Sequence, residues 1–246
     1  MIAANVIGQL RQFGETRRGW LGIRLQEVTD DIAEGLGLPA AKGALVMGVV
    51  PKGPSDNGLL KVGDVIVQFD GKDIVTSRDL PRIVAETPVG KKVAVKLLRK
   101  EAKTTDPVQE LSVDITLGRL EDGEKLMGDD DKQPEADDAQ PGVKAPDGVE
   151  ALGMKLSDID DAARTKYALA KDVSGVVITA VTPFSGAAEK GIEAGTVIKE
   201  VAQEQMAKAT DVAKKIASLK TSGRKNALLL LASATGELRF VVVPID

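Results

Sequence analysis

The sequence predicts an α+β protein made of two copies of one small module. Three observations predict it. Short runs of Val, Leu and Ile alternate with polar residues at the spacing of half-buried strands. Between them stand segments with apolar residues at helical spacing, several introduced by Ser, Thr or Asp. The pattern also recurs. Leu21-Gly22-Ile23-Arg24-Leu25 returns as Leu152-Gly153-Met154-Lys155-Leu156, Gly43-Ala44-Leu45-Val46 as Gly175-Val176-Val177-Ile178, and Pro51 through Ile66 as Pro183 through Ile198, with the same internal spacing.

Composition bounds the function. A chain of 246 residues suffices for two domains of about 100 residues each. Hydrophobic residues make up 43% but aromatics only 2%, so the cores are built from Val, Leu, Ile and Ala. Few aromatics leave no stacking platform for single-stranded nucleic acid, and a net charge of −4 does not suit a phosphate-binding surface. No nucleic-acid partner is expected. Histidine and cysteine are both absent, which excludes Ser-His-Asp and Cys-His catalysis, disulfides and thiolate metal sites. No serine stands in a G-x-S-x-G turn. No catalytic residue, metal or cofactor is therefore expected. No apolar run reaches the length of a membrane span. Met1 is not followed by a basic region and an apolar signal core, so either the export information lies outside these residues or the protein stays in the cytosol.

Residues 1–16 carry Val6, Ile7, Leu10 and Phe13 at helical spacing and read as an amphipathic helix. The first module follows, over 17–119. Leu21–Val28 is its opening strand, in which Gly22 lets the backbone bend and lets another group approach its amides. Thr29 caps a short helix, Gly43–Val50 is a buried strand, Pro51–Pro54 a turn and Ser55–Leu60 a short helix. Val65–Phe69 is a strand closed by Asp70-Gly71. Thr76 or Ser77 caps a helix with Leu80, Ile83 and Val84 on one face, and Pro81 falls in its tolerant first turn. Val93–Leu98 and Leu111–Leu117 form the last strand pair, joined by a polar loop.

Residues 120–148 read as an acidic, flexible linker. From Glu121 to Asp138 nine acids face two lysines, so this segment carries −7 in a chain whose total is −4. Asp129-Asp130-Asp131 lacks the alternating acids, central glycine and distal glutamate of a calcium loop and reads as a solvated charge run. The second module, 149–246, repeats the plan: a strand at Leu152–Leu156, a helix capped by Ser157, a strand at Val176–Val181 and a helix at Gly186–Lys190. A helix started by Thr210 and Asp211 then carries Val212, Ile216 and Leu219, ahead of a hairpin of Ala227–Leu231 with Leu238–Val243.

The order of Trp20-Leu21-Gly22-Ile23, Gly43-Ala44-Leu45-Val46, Pro51 with Pro54, Leu60-Lys61-Val62-Gly63-Asp64-Val65-Ile66 and Phe69-Asp70-Gly71-Lys72 resembles a PDZ domain of the HtrA/Do (DegP-like) bacterial serine proteases. The resemblance covers nearly the whole chain, more specifically in the first copy than in the second. It implies two PDZ-like modules, each a small, partly open antiparallel β-barrel capped by helices. It also implies a protease domain upstream of these residues, of which 1–16 would be the tail, and a periplasmic location. In the first copy it places a peptide's carboxylate on the loop Trp20, Leu21, Gly22 and Ile23, with Arg18 (or Arg17) adding positive charge or simply solvated. Leu25, Leu80, Ile83 and Val84, together with Leu21 and Ile23, line a pocket for the last side chain. By analogy the second groove offers Leu152, Gly153, Met154, Leu156, Val212 and Ile216. That copy departs from the pattern at Thr196 for Asp64, at Val201-Ala202-Gln203 for Phe69-Asp70-Gly71, and at Ser185-Gly186, which lacks the proline found at Pro54.

Two functional readings follow from the resemblance. In the first, the chain is a non-catalytic region of a protease and chaperone that captures C-terminal or extended apolar segments of unfolded polypeptides by strand addition. Its partners are then those substrates and the protease domain of the full-length protein. In the second, the modules assemble a homo-oligomeric cage and their grooves contact neighbouring subunits.

Overall fold

The computed structural model describes residues 18–100, 108–127 and 149–245, the side chains of 124–127 excepted. The helix expected over 1–16, Arg17, the loop 101–107 and the linker residues 128–148 lie outside the described residues. Contacts divide the chain into two compact units.

The first unit holds β1 (Gly19–Trp20), β2 (Ile23–Glu27), β3 (Ala44–Val49), β4 (Val65–Phe69) and β5 (Lys72–Asp73). The helix α2 (Asp79–Glu86) follows, then β6 (Lys92–Arg99), β7 (Gln109–Thr116), β8 (Gly118–Arg119) and α3 (Leu120–Met127). The helix between β2 and β3, α1 (Asp30–Leu36), is capped by the Thr29 hydroxyl as its sequence predicts. By its contacts it groups with the second unit rather than with the strands that flank it in sequence. All pairings are antiparallel. The main sheet runs β2-β3-β4-β6-β7, with β5 on β4, and β1 pairs separately with β8. Alternation along β6 buries Val93, Val95 and Leu97 and exposes the residues between them. These join Ala44, Val46, Ile66, Phe69, Ile74 and Ile115 in one core, each fully buried aliphatic side chain contributing about 1.5–3 kcal/mol.

Three local expectations in the first module differ from what forms. Ser55–Leu60 is a run of turns, not a helix, since Pro54 and Gly58 (φ 77°) bracket a segment of only a few residues. Neither Thr76 nor Ser77 caps α2. Instead the Asp79 carboxylate accepts from the Thr76 N–H (2.9 Å), the Thr76 hydroxyl (3.1 Å) and the Val75 N–H (3.3 Å), tying the entry turn to the helix from inside. Residues 120–127, placed in the linker for their acidity, form α3, and Gly123 lies against the Trp20 ring.

The second unit repeats the sheet. Its elements are β9 (Val149–Ala151), β10 (Met154–Asp158), α4 (Asp161–Lys166), β11 (Val176–Val181), α5 (Gly186–Glu189), β12 (Val197–Val201) and β13 (Glu204–Gln205). The groove helix α6 (Ala209–Thr221) and the hairpin β14 (Asn226–Ala232) with β15 (Leu238–Pro244) complete it. The order is β15-β14-β12-β11-β10-β9, all antiparallel, with β13 on β12. The repeat reaches the irregularities. The β2–β3 ladder shifts between Arg24 and Leu25, and the β10–β11 ladder shifts at the equivalent Lys155 and Leu156. Ser157 is not a cap but part of β10; Asp160 caps α4, accepting from the Ala163 N–H at 2.7 Å. Neither sheet closes into a barrel: each keeps two free ends in its strand order, which fits the open variety of the expected fold.

Candidate peptide-binding grooves

In the first module the expected loop sits at the entrance to an edge strand. Nothing among the described residues pairs with the outer side of β2. Leu21, Leu80, Ile83 and Val84 share one apolar cluster, and Ile23 and Leu25 pack against it from β2. The structure thus brings every predicted pocket residue together. Their exposures divide their roles. Leu80 is fully buried and forms the base, whereas Ile23 and Leu25 are half-buried and present apolar surface along the strand.

The loop is shaped by contacts that the sequence pattern did not reveal. Ser55, 0% exposed, donates its hydroxyl to the Leu21 carbonyl at 2.6 Å, and the Val50 N–H donates to the Gly22 carbonyl at 2.8 Å. Both carbonyls are therefore held inward. The amides of Leu21 and Gly22 find no acceptor among the described residues, the arrangement an incoming anion can use. Gly22 has φ +70°, and a Cβ there would stand 2.8 Å from Pro54 Cδ and 3.2 Å from Gly53 Cα. Glycine is required both by the left-handed backbone and by that approach. Gly19 is equally constrained, since a Cβ would run into the carbonyls of Val84 and Thr87 at the end of α2. The Pro51–Pro54 turn, legible only as a turn, is what Gly22 packs on.

Trp20 and Arg18 are placed differently from the pocket residues. The Trp20 ring is held among Gly53, Gly118 and Gly123, away from the apolar cluster of the groove. Arg18 is exposed, and its carbonyl accepts from the Leu120 N–H at 3.0 Å. Asp64, prominent in the repeated motif, is structural. At 1% exposure it accepts two 2.7 Å hydrogen bonds from the Arg99 guanidinium and one of 2.8 Å from the Lys61 N–H. Among the described residues no group of His, Cys, Asp or Glu is placed to hold a metal ion.

The second module assembles its predicted residues around a different entrance. Met154, Leu156, Val212 and Ile216 lie in its core, with Leu152 packed against them. Leu152 (φ 52°) and Gly153 (φ 71°) form a two-residue turn joining β9 to β10. Ala187 stands where the first module has Ser55, so the hydroxyl that holds the Leu21 carbonyl has no counterpart at that position.

An antiparallel α+β plan of this kind, formed twice and open at the edge strand β2 in the first copy, is that of a PDZ-type module, and the sequence agrees: PDZ domain models match residues 19–109 and 142–231. The chain belongs to the PDZ family, as two tandem PDZ domains, and is similar to the corresponding part of DegP-like proteases. It is 33% identical over 244 residues to the probable periplasmic serine endoprotease DegP-like of Brucella suis, covering 99% of this chain and 42% of that protein. It is 32% identical over 244 residues to that of Rhizobium meliloti, covering 99% and 44%. Among solved structures it matches the HtrA-type protease AlgW with decapeptide, 31% identical over 48% of this chain and 34% of that one, with a TM-score of 0.41. The chain spans less than half the length of the curated relatives it matches. The segments matched by family models are both PDZ domains, and more than half of each of those relatives lies outside the part this chain covers. No helix among the described residues is long and apolar enough to cross a membrane.

Proposed function

We propose that the first module captures the C-termini or extended apolar segments of unfolded polypeptides for a periplasmic serine protease, by strand addition to the outer edge of β2. The carboxylate is taken by the amides of Leu21, Gly22 and Ile23, and the last side chain rests on Ile23 and Leu25 above Leu80, Ile83 and Val84. The observation that carries this reading is the pairing of an edge strand with a loop whose carbonyls are turned inward and whose Leu21 and Gly22 amides lack protein acceptors among the described residues.

Titration calorimetry of the chain with one apolar peptide, as free acid and as C-terminal amide, tests it. The acid should bind with a Kd on the order of micromolar, about −8 kcal/mol, which one added strand and one pocket supply after ordering costs. The amide should bind at least about ten-fold more weakly, the scale of a charge-assisted hydrogen bond. Equal affinities would show that the loop is only a strand entrance.

A further inference from the structure

The two modules differ most where they should be most alike. Strand β2 has no neighbour on its groove side among the described residues. Its counterpart β10 does: β9 runs antiparallel along it, with Ala151 opposite Met154, Glu150 opposite Lys155 and Val149 opposite Leu156. β9 also packs against α6. Val149 and Ala151 turn toward the core cluster that contains Val212 and Ile216 of that helix, while Glu150 faces out and pairs with Lys155 at 3.7 Å. The groove is held to width at its far end, where Asp158 of β10 accepts from the Ala209 N–H of α6 at 2.7 Å. A segment of the chain itself thus lies in the place, direction and hydrogen-bonding role of an added strand.

We infer that the second groove is a strand-binding site whose ligand is the chain's own Val149–Ala151, and that an outside peptide can add to β10 only by displacing it. This concerns a different site from the first-module reading. The hairpin explains why the site takes an interior segment and not a free terminus. The chain continues from Ala151 through the Leu152–Gly153 turn into β10, so no carboxylate stands at the loop and the turn amides serve a backbone reversal. Tethering decides the competition. A strand joined by so short a connection is present at an effective concentration on the order of millimolar. Against a peptide of about micromolar intrinsic Kd, a cis strand of equal intrinsic affinity weakens apparent binding roughly 10³-fold. The first module then samples outside ligands while the second stays filled until something removes β9.

The absence of native cysteine makes a lock available. In a hairpin closed by two residues the flanking pair is hydrogen bonded and the next pair is not, so Glu150 and Lys155 form the closer, non-hydrogen-bonded pair. Glu150→Cys with Lys155→Cys should oxidise to one intramolecular disulfide and fix β9 in place. Val149→Pro removes an N–H that pairs with Leu156 and should free the groove. Both variants and the unaltered chain are titrated, as full ¹⁵N-labelled chains, with a free-acid apolar peptide. Shifts at Lys155 and Val212 report the second groove, and shifts at Leu25 and Ile83 report the first. At the second groove the unaltered chain should respond only near millimolar peptide, the oxidised pair not at all, and Val149→Pro at roughly 10³-fold lower concentration. The inference is overturned if the disulfide fails to form, or if the oxidised chain responds at Lys155 and Val212 as readily as the reduced one. It is also overturned if a folded Val149→Pro chain gains no binding there. Should Val149→Pro unfold the second module, the cysteine pair decides alone. Failure of binding at Leu25 and Ile83 bears only on the first-module reading.

Discussion

Ser55→Ala tests how the carboxylate loop is held. The Ser55 hydroxyl is fully buried, and its 2.6 Å bond to the Leu21 carbonyl joins the start of the loop to the turn 34 residues later in the chain. Removing it leaves a buried carbonyl without its partner, a cost of about 1–3 kcal/mol. For a domain of about 100 residues that is a fall of roughly 5–20 °C in Tm. Trp20 is the only tryptophan and sits in the first module, so its emission follows the unfolding of that module alone. The same change frees the Leu21 peptide plane to rotate, and the amides beyond it lose their common aim. Affinity for a free-acid peptide should fall about ten-fold, while affinity for the amidated peptide should change little, since it never used the anion contact. The two substitutions, in protein and in peptide, make a double-mutant cycle with a coupling of about 1 kcal/mol. If Ser55→Ala weakens acid and amide equally, the hydroxyl supports the module without positioning the loop amides, and the geometry argued for the carboxylate is wrong.

Arg99→Met should destabilise the first module by about 3–5 kcal/mol in urea titrations followed at Trp20, because it strands the buried Asp64 carboxylate. Adding Asp64→Thr, the residue the second module uses at Thr196, should restore much of that loss, since no buried charge is then left unpaired. Asp79 titrates below its ordinary value of 3.8, chiefly because the Thr76 N–H and then the Thr76 hydroxyl donate to its charged form. Its contribution to stability is therefore complete above the unfolded carboxylate value and is lost as pH falls through the lower folded value. Asp79→Asn should flatten the acid limb of the first module's stability curve below about pH 4, and an unchanged limb would count against the entry-turn contact.

Much of the fold was legible because its signals are local. The apolar runs Val65–Phe69 and Val176–Val181 matched both strands at their observed bounds, and the repeat of Leu-Gly-apolar-basic-apolar marked the entrances to β2 and β10; the ladder shifts inside those strands left no sign in the pattern. What escaped was carried by contacts between distant residues or by segments too short for a period. Three residues, Val149–Ala151, cannot display alternation, and they follow an acidic stretch that reads as solvated chain; only pairing with β10 makes them a strand. The motif showed Asp64, but not that Arg99 completes it. That Leu80, Ile83 and Val84 share one cluster with Ile23 and Leu25 packed against it could be read ahead, because helical and strand periodicity place the first three on one face of α2 and the other two on one face of β2. Ser55 was missed because a hydroxyl bonded to a carbonyl leaves no pattern. The caps moved for a related reason: Thr, Ser and Asp all suit a helix start, and it is Asp160 that caps α4, while α2 has no side-chain cap and is tied to its entry turn by Asp79 from inside the helix.

The acidic segment 120–127 shows how a propensity argument and a packing argument can be set against each other by sign. Glycine inside a helix costs about 1 kcal/mol relative to alanine, so on propensity alone Gly123→Ala in α3 should stabilise the protein by that amount. The structure predicts the opposite. A Cβ at 123 would stand 2.6 Å from Trp20 Cε2 and 2.7 Å from Cδ2, in the face of a ring held on its other contacts by Gly53 and Gly118. Neither neighbour can retreat easily, because Gly118 pairs with Trp20 across β1 and β8 and lies close to Pro54. The methyl must push α3 off the ring or move the ring itself, and overpacking of this kind costs about 1–3 kcal/mol. Gly123→Ala should therefore lower the stability of the first module and shift Trp20 emission to the red as the ring gains water. Stabilisation with unchanged emission would mean that α3 does not rest on Trp20, and that residues 120–127 behave as the solvated linker their charge suggests.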